Sequence, residues 1–325
     1  MGLMLDPQTL KATLELRVEG TRQEALDILS FELVHPQGQL LPPFEAGAHV
    51  DVHLPGALLR QYSLCNDPSE RHRYIIGVLR ESNGRGGSAA LHGVKPGETL
   101  TVSHPRNHFP LAGKEAQSHL LLAGGIGVTP MMAMVAALKA RGAEYRMHYC
   151  ARSPDRTAFL DRLGPEIEAG RVVLHHDGGD PSKGLDIEAL LASYQLGTHL
   201  YYCGPPGFMS AVKSATGAWP PHTVHFEYFT APEHEAYDNA PFQIEIAGTG
   251  QLLDVPASES IVDVLRANGF SIDTDCREGY CGTCITRYVK GEPEHRDTVL
   301  SEKERKSYVM ICCARAKVSP LVLDL

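Results

Sequence analysis

Cys276-Arg277-Glu278-Gly279-Tyr280-Cys281-Gly282-Thr283-Cys284, followed at a distance by Cys312, decides how this chain is organised. Three thiols in Cys-x4-Cys-x2-Cys order on one loop, with a remote fourth, is the plant-type spacing for a [2Fe–2S] cluster held by four thiolates. Gly279 and Gly282 allow such a loop to turn backbone N–H groups toward cluster sulfurs at close range. Zinc also binds four thiolates, but structural zinc sites generally use two short knuckles, and here three ligands share one loop. Cys312 and Cys313 compete for the fourth position. On an extended segment their side chains point to opposite faces, so one of the two ligates.

Working back from this loop, Ser258 to Ala267 carries Ile261, Val264 and Leu265 on one side and ends near Gly269, as an amphipathic helix does. The stretch 242–325 is short for an independent core, and a bound metal centre would help stabilise it. The preceding segment, 230–241, is polar, flanked by prolines and poor in aliphatic residues, and reads as a linker.

At His119-Leu120-Leu121-Leu122-Ala123 an apolar run leads into Gly124-Gly125-Ile126-Gly127-Val128-Thr129-Pro130 and then a helix-forming stretch to Ala140. Strand, glycine-rich turn and helix in that order offer N–H groups to a phosphate. Further apolar runs at Tyr145 to Cys150, Val172 to Leu174 and His199 to Cys203 alternate with helical candidates such as Ile187 to Tyr194, the rhythm of a parallel α/β sheet over 112–229. An acidic residue about 20 positions after the turn is missing, so this is not an ordinary dinucleotide fingerprint. Met131, Met132 and Met134 read as helix core, and His175-His176-Asp177 as a nucleotide contact or solvated loop.

Residues 1–111 show short alternating segments separated by turn residues, an antiparallel barrel or sandwich. Val50, Val52 and Leu54 share one face; His49, Asp51 and His53 share the other, expected to be an exposed polar face and not a set of metal ligands. Tyr74 to Leu79 is another strand. The whole is then multi-domain: an antiparallel β-barrel, an α/β parallel-sheet domain and a small α+β domain.

Composition narrows the function. The 325 residues carry a net charge of −9 with 43% hydrophobic and 21% charged residues, a globular balance without the basic footprint of a nucleic-acid or anionic-membrane partner. No run of about 18 apolar residues and no cationic leader is evident, so a cytoplasmic protein without a membrane span is expected. Five of the eight cysteines fall between 276 and 313, which in that setting points to metal chemistry more than disulfides.

Several motifs, taken in order, resemble the phthalate dioxygenase reductase family, which includes the reductases of aromatic O-demethylases. They are Arg60-Gln61-Tyr62-Ser63-Leu64-Cys65-Asn66-Asp67, Asn83-Gly84-Arg85-Gly86-Gly87-Ser88, the Gly-Gly-Ile-Gly-Val-Thr-Pro turn, Cys203-Gly204-Pro205, Val309-Met310-Ile311-Cys312 and the terminal Leu321-Val322-Leu323-Asp324-Leu325. The resemblance spans nearly the full length. It implies an FMN-binding β-barrel (1–111), an NAD-binding domain (112–229), the linker and a β-grasp [2Fe–2S] ferredoxin domain (242–325). It assigns Arg60 to the flavin phosphate with Gly86, Gly87 and Ser88, Tyr62 and Phe229 to the flavin ring, and Ser63 to its reactive nitrogen. Gly77, Val78, Leu79 and Thr129 also join the FMN site. Gly125, Gly127, Pro130, Arg152, Gly204 and Pro205 line the NAD site, with Cys203 beside the nicotinamide. Cys276, Cys281, Cys284 and Cys312 become the cluster ligands, and Cys313 a spare thiol. Arg152, after the second strand, is also where a 2′-phosphate would be met, but the resemblance leans to NADH.

NADH delivers two electrons as hydride and a [2Fe–2S] cluster takes one at a time, so a flavin between them is the converter, and the protein's task is positioning. The expected acceptor is a Rieske-type oxygenase, whose centre lies at roughly −150 to +300 mV against about −400 mV for plant-type clusters, making transfer downhill. The contact is expected to be small and transient, near Arg277 and Glu278, and the reductase a monomer. A free-standing NADH reductase of a small quinone or ferric complex, and a non-enzymatic redox sensor, are the competing readings.

Overall fold

The computed structural model describes residues 13–55, 58–82, 86–113, 115–229, 239–274, 277–280, 282–300 and 302–325. By Cα proximity the chain divides into two compact units, Met1–Glu227 and Tyr228–Leu325. Residues 230–238, most of the stretch read as a linker, lie outside the described residues.

The first unit begins with β1 (Thr13–Ala25), β2 (Ile28–Val34), β3 (His49–Leu54), β4 (Leu58–Ser63), β5 (Tyr74–Leu79), α1 (Gly87–His92) and β6 (Thr99–Ser103). Its strands form one antiparallel sheet in the order β4-β3-β6-β1-β2-β5. A bridge between Leu64 and Ile76 joins the two edges, so the sheet closes on itself and leaves no open edge there. Leu16, Val18, Phe31, Leu33, Val50 and Val52 are fully buried. One expectation fails: His49 and Asp51 are buried, while only His53 of that face is exposed. The segment after β6 covers them. Arg106 pairs with Asp51, and the His108 ring lies 5.5 Å from that of His49. A polar alternation thus marks a face covered by charge partners, not by water.

The second sheet is wholly parallel: β7 (Ser118–Gly124), β8 (Glu144–Ala151), β9 (Val172–His176), β10 (Thr198–Cys203) and β11 (Val224–Glu227), in the order β11-β10-β7-β8-β9. The apolar β10 is buried throughout, as a central parallel strand must be. Helices α2 (Val128–Ala140), α3 (Leu160–Glu168), α4 (Ile187–Leu191) and α5 (Pro206–Ala215) connect the strands. Met131, Met132 and Met134 are buried in α2, as expected. Strand order reverses between β7 and β10, and a crevice at such a switch point, outside the carboxyl ends, is where open α/β sheets hold ligands.

The second unit contains β12 (Phe242–Ile246), β13 (Gln251–Val255), α6 (Ile261–Ala267), β14 (Ile285–Glu294), β15 (Tyr308–Met310) and β16 (Arg315–Asp324), in the mixed order β13-β12-β16-β14-β15. Helix α6 starts later than its apolar pattern because Ser260 and Asp263 form a reciprocal capping box. It packs Ile261, Val262 and Leu265 onto a core with Ile244, Val309 and Leu323. The buried Arg315 lies over the Phe242 ring and donates to the carbonyls of Ala240, Pro256 and Glu259 at 2.7, 2.9 and 2.7 Å. Among the described residues no helix is long and apolar enough to cross a membrane.

Candidate functional site

At the switch point, the turn after β7 and the turn after β10 pack backbone to backbone. A Cβ on Gly127 would stand 2.2 Å from the Cys203 carbonyl oxygen, and one on Gly204 would stand 3.0 Å from Gly124 Cα. Gly124 is likewise closed off by Pro205, whose Cδ would be 2.9 Å from an added Cβ. Glycine here serves the meeting of two turns. Gly125 differs: its φ is +53, and a Cβ there would meet nothing within 4 Å, which leaves room for a ligand against bare backbone. Pro130 and Thr129 open α2; the Thr129 hydroxyl donates to the Ile126 carbonyl at 3.0 Å. Cys203 is fully buried, and burial together with nearby Glu227 pushes its thiol well up, so it stands protonated.

On the barrel, Arg60, Tyr62 and Ser63 lie on β4. Across from them Gly86, at φ +86, caps α1 from open space, and a Cβ on Gly87 would come within 2.7 Å of both Cγ and Nε of Arg60. The guanidinium stem therefore rests on the glycine turn, and Arg60 and Gly86–Gly87 form one cationic, N–H-bearing patch of the kind that takes a phosphate. Ser88 accepts a hydrogen bond from the Glu81 amide at 3.1 Å. Asn83, Gly84 and Arg85 of the same motif lie outside the described residues. Gly77, Val78 and Leu79 form the end of β5, where the Val78 carbonyl lies 3.0 Å from His92 Nε2.

The two parts of this unit meet at Ser63. Its hydroxyl lies 3.4 Å from a carboxylate oxygen of Glu227, whose other oxygen is 3.7 Å from His49 Nδ1. Glu227 pairs in register with Cys203 across β10 and β11. Sequence reasoning missed Glu227, although it stands two residues before Phe229. Arg152 is exposed after β8, its carbonyl accepting from Gly178 at 2.8 Å, on the side of the sheet away from β10. Phe229 is half-buried and falls in the second unit.

In that second unit Cys284 and Cys312 are 4% and 6% exposed, while Cys276 and Cys281 lie outside the described residues. The loop takes positive φ at Arg277 (61), Gly279 (78) and Gly282 (78), left-handed backbone of the kind with which a loop presents N–H groups to an anionic centre. Arg277 forms an ion pair with Asp263 of the α6 capping box. The segment of the fourth ligand is not extended as expected. Ile311 to Cys313 is a turn, with the Cys313 and Ala314 amides both donating to the Met310 carbonyl. The Cys313 sulfur lies in hydrogen-bonding contact with Cys312, 3.6 Å from the Met310 carbonyl and 2.5 Å from where a Gly279 Cβ would be. The buried thiols and the left-handed loop fit an iron–sulfur cluster, and the Arg60 cradle fits a flavin phosphate.

Comparison with known proteins agrees with this arrangement. The profile of the 2Fe-2S iron-sulfur cluster binding domain matches residues 244–317. The reductase subunit of the tert-butanol monooxygenase / tert-amyl alcohol desaturase of Aquincola tertiaricarbonis is 48% identical, covering 97% of each chain. Phthalate dioxygenase reductase of Burkholderia cepacia is 45% identical over 96% of this chain and 97% of its own. A solved structure of phthalate dioxygenase reductase, described as modular for electron transfer from pyridine nucleotides to [2Fe-2S], superposes with a TM-score of 0.72 at 44% identity, covering 99% of this chain and 100% of that one. With relatives this similar over both full lengths, the chain belongs to the phthalate dioxygenase reductase family, the reductase components of oxygenase systems.

Proposed function

We propose that this protein takes electrons from NADH and passes them, through FMN and its [2Fe–2S] cluster, to a Rieske-type oxygenase acting on an aromatic or similar small substrate. When bound, the flavin and the cluster supply the conversion between a two-electron donor and a one-electron acceptor. The observation that carries the reading is the junction of Ser63, Glu227 and Cys203, where the barrel's β4 meets the switch point of the parallel sheet.

The chain's residues bind and orient. Arg60 with Gly86, Gly87 and Ser88 holds the flavin phosphate, Tyr62 covers its ring, a role the family resemblance also gives Phe229, and Ser63 and the Gly77–Leu79 backbone fix its edge. Thr129 joins this group from α2. Gly125, Gly127 and Pro130, with Gly204 and Pro205, receive the NADH, and Arg152 faces its adenosine end. Cys203 excludes water beside the nicotinamide and, held protonated, adds no charge there. Cys276, Cys281, Cys284 and Cys312 ligate the cluster. The three parts 1–111, 112–229 and 242–325 carry FMN, NAD and cluster respectively. The oxygenase contact is transient, the reductase is a monomer, and its setting is the cytoplasm, in keeping with the unpaired Cys65, Cys150 and Cys203.

The test is an anaerobic absorption titration with NADH, with flavin and iron analysis. Bleaching of both flavin and iron–sulfur bands, at about one flavin and two irons per chain, supports the relay. Flavin without iron, or a zinc-loaded chain, removes it. Coupled turnover with and without a Rieske oxygenase then separates this role from reduction of a small quinone.

A further inference from the structure

Besides the Ser63–Glu227 contact, several of the interactions that bring the barrel against the parallel sheet come from one short segment, 155–162. The Asp155 carbonyl accepts from the Leu26 amide at 2.7 Å, Arg156 lies 3.6 Å from Asp27, and Asp161 pairs with Arg22. Those pairs are exposed and worth little. Two others are buried or half-buried, and they touch the elements assigned to the flavin.

Phe159 is fully buried and holds a backbone φ of 60, a left-handed conformation that a bulky residue adopts only where its surroundings over-determine it. Its ring packs on Gly77 of β5. A Cβ on Gly77 would stand 2.8 Å from Phe159 Cζ and equally 2.8 Å from Thr129 Cγ2 of α2. Ring and threonine methyl therefore both close on the bare strand at Gly77. One helical turn later, the Arg162 guanidinium lies over the same ring, 5.6 Å from its centroid, and donates to the Cys65 carbonyl at 2.5 Å. Cys65 is two residues beyond Ser63, and the Leu64–Ile76 bridge makes the two gripped strands neighbours.

We propose that Phe159 and Arg162 are positioning residues: together they set the flavin-bearing strands β4 and β5 against the glycine-rich turn and α2, and so fix the approach of the nicotinamide to the flavin. The proposal rests on the FMN and NADH assignment above. Neither side chain needs to touch either cofactor. An error of about 1 Å in such an approach costs a reaction up to about a hundredfold.

The test uses the holoenzyme and Phe159→Leu, which keeps apolar bulk but withdraws the ring edge from Gly77. Flavin content, the long-wavelength absorption band formed with a non-reducing tetrahydro analogue of NADH, the rate of flavin bleaching by NADH, and reduction of the cluster by dithionite are measured. The expected result is retained flavin and unchanged dithionite reduction, with a weakened band and bleaching slowed about tenfold. A band and a rate equal to those of the parent protein overturn the proposal. Should Phe159→Leu fail to fold, Arg162→Gln is expected to slow bleaching and Arg162→Lys, which still reaches the Cys65 carbonyl, to restore it; equal rates in both overturn it. A parent protein that NADH does not bleach refutes the cofactor assignment itself, an outcome distinct from variants that match an active parent.

Discussion

Ser63 Oγ and the Glu227 carboxylate lie 3.4 Å apart, which joins the last residue of β4 to the last residue of β11 and leaves the serine hydroxyl a fixed direction. Ser63→Ala removes that fixed hydroxyl without opening the barrel. It is expected to keep its flavin and to slow flavin reduction by NADH about tenfold, read by anaerobic rapid mixing. Wild-type kinetics would leave the pair a purely structural contact.

Gly127→Ala pushes a methyl group into the Cys203 carbonyl, where neither backbone can give way. A loss of about 2 kcal/mol is expected, lowering the melting temperature by about 4–8 °C. Calorimetry checks it, and iron content should be unaffected.

Gly87→Ala meets the Arg60 side chain, which can move aside. The fold survives, but the displaced guanidinium no longer reaches a phosphate. FMN affinity is expected to fall about tenfold, measured by fluorescence titration of the flavin-free protein.

Cys312 and Cys313 are expected to separate cleanly. Cys312→Ser loses iron and the visible iron–sulfur absorption, whereas Cys313→Ala keeps about two irons per chain, as the assignment of Cys312 to the cluster and of Cys313 as a spare thiol requires.

Acid stability has an identifiable source. Glu166 on α3, beside Arg171, Lys139 and Tyr145, has its carboxyl held down to about 2, chiefly by Arg171. A depressed folded value stabilises the protein fully above the unfolded value near 4.5, and the contribution is lost as pH falls toward 2. With both cations open to solvent it is worth about 2 kcal/mol. Denaturant melts of Glu166→Gln should show a shallower stability loss between pH 4.5 and 2 than the parent.

Much of this was legible in the chain because its signals are local. The cluster spacing, the strand, turn and helix around Gly124 to Thr129, and the strand Tyr74–Leu79 each reside in a few consecutive residues. What escaped depends on partners distant in sequence. His49 and Asp51 look solvent-facing until Arg106 and His108 are folded over them. Glu227, Phe159 and Arg162 have no motif of their own and acquire meaning only through Ser63, Gly77 and Cys65. Gly127 and Gly204, assigned to the NAD site, also allow close approaches that no spacing announces: a Cβ on the first would strike the Cys203 carbonyl, and one on the second would meet Phe208 and the Gly124 backbone. That only one of Cys312 and Cys313 ligates was argued from alternation in a segment that proves to be a turn, whereas the choice of Cys312 came from the family resemblance.

Strand β16 (Arg315–Asp324) sits in the middle of its sheet, between β12, to which it is parallel, and β14. The cysteine loop is thus translated well before the strand that completes its scaffold. A nascent chain made only as far as Cys284 therefore carries three of the thiols without the strand that ties β12 to β14, so a stable cluster site awaits the synthesis and docking of residues 315–324.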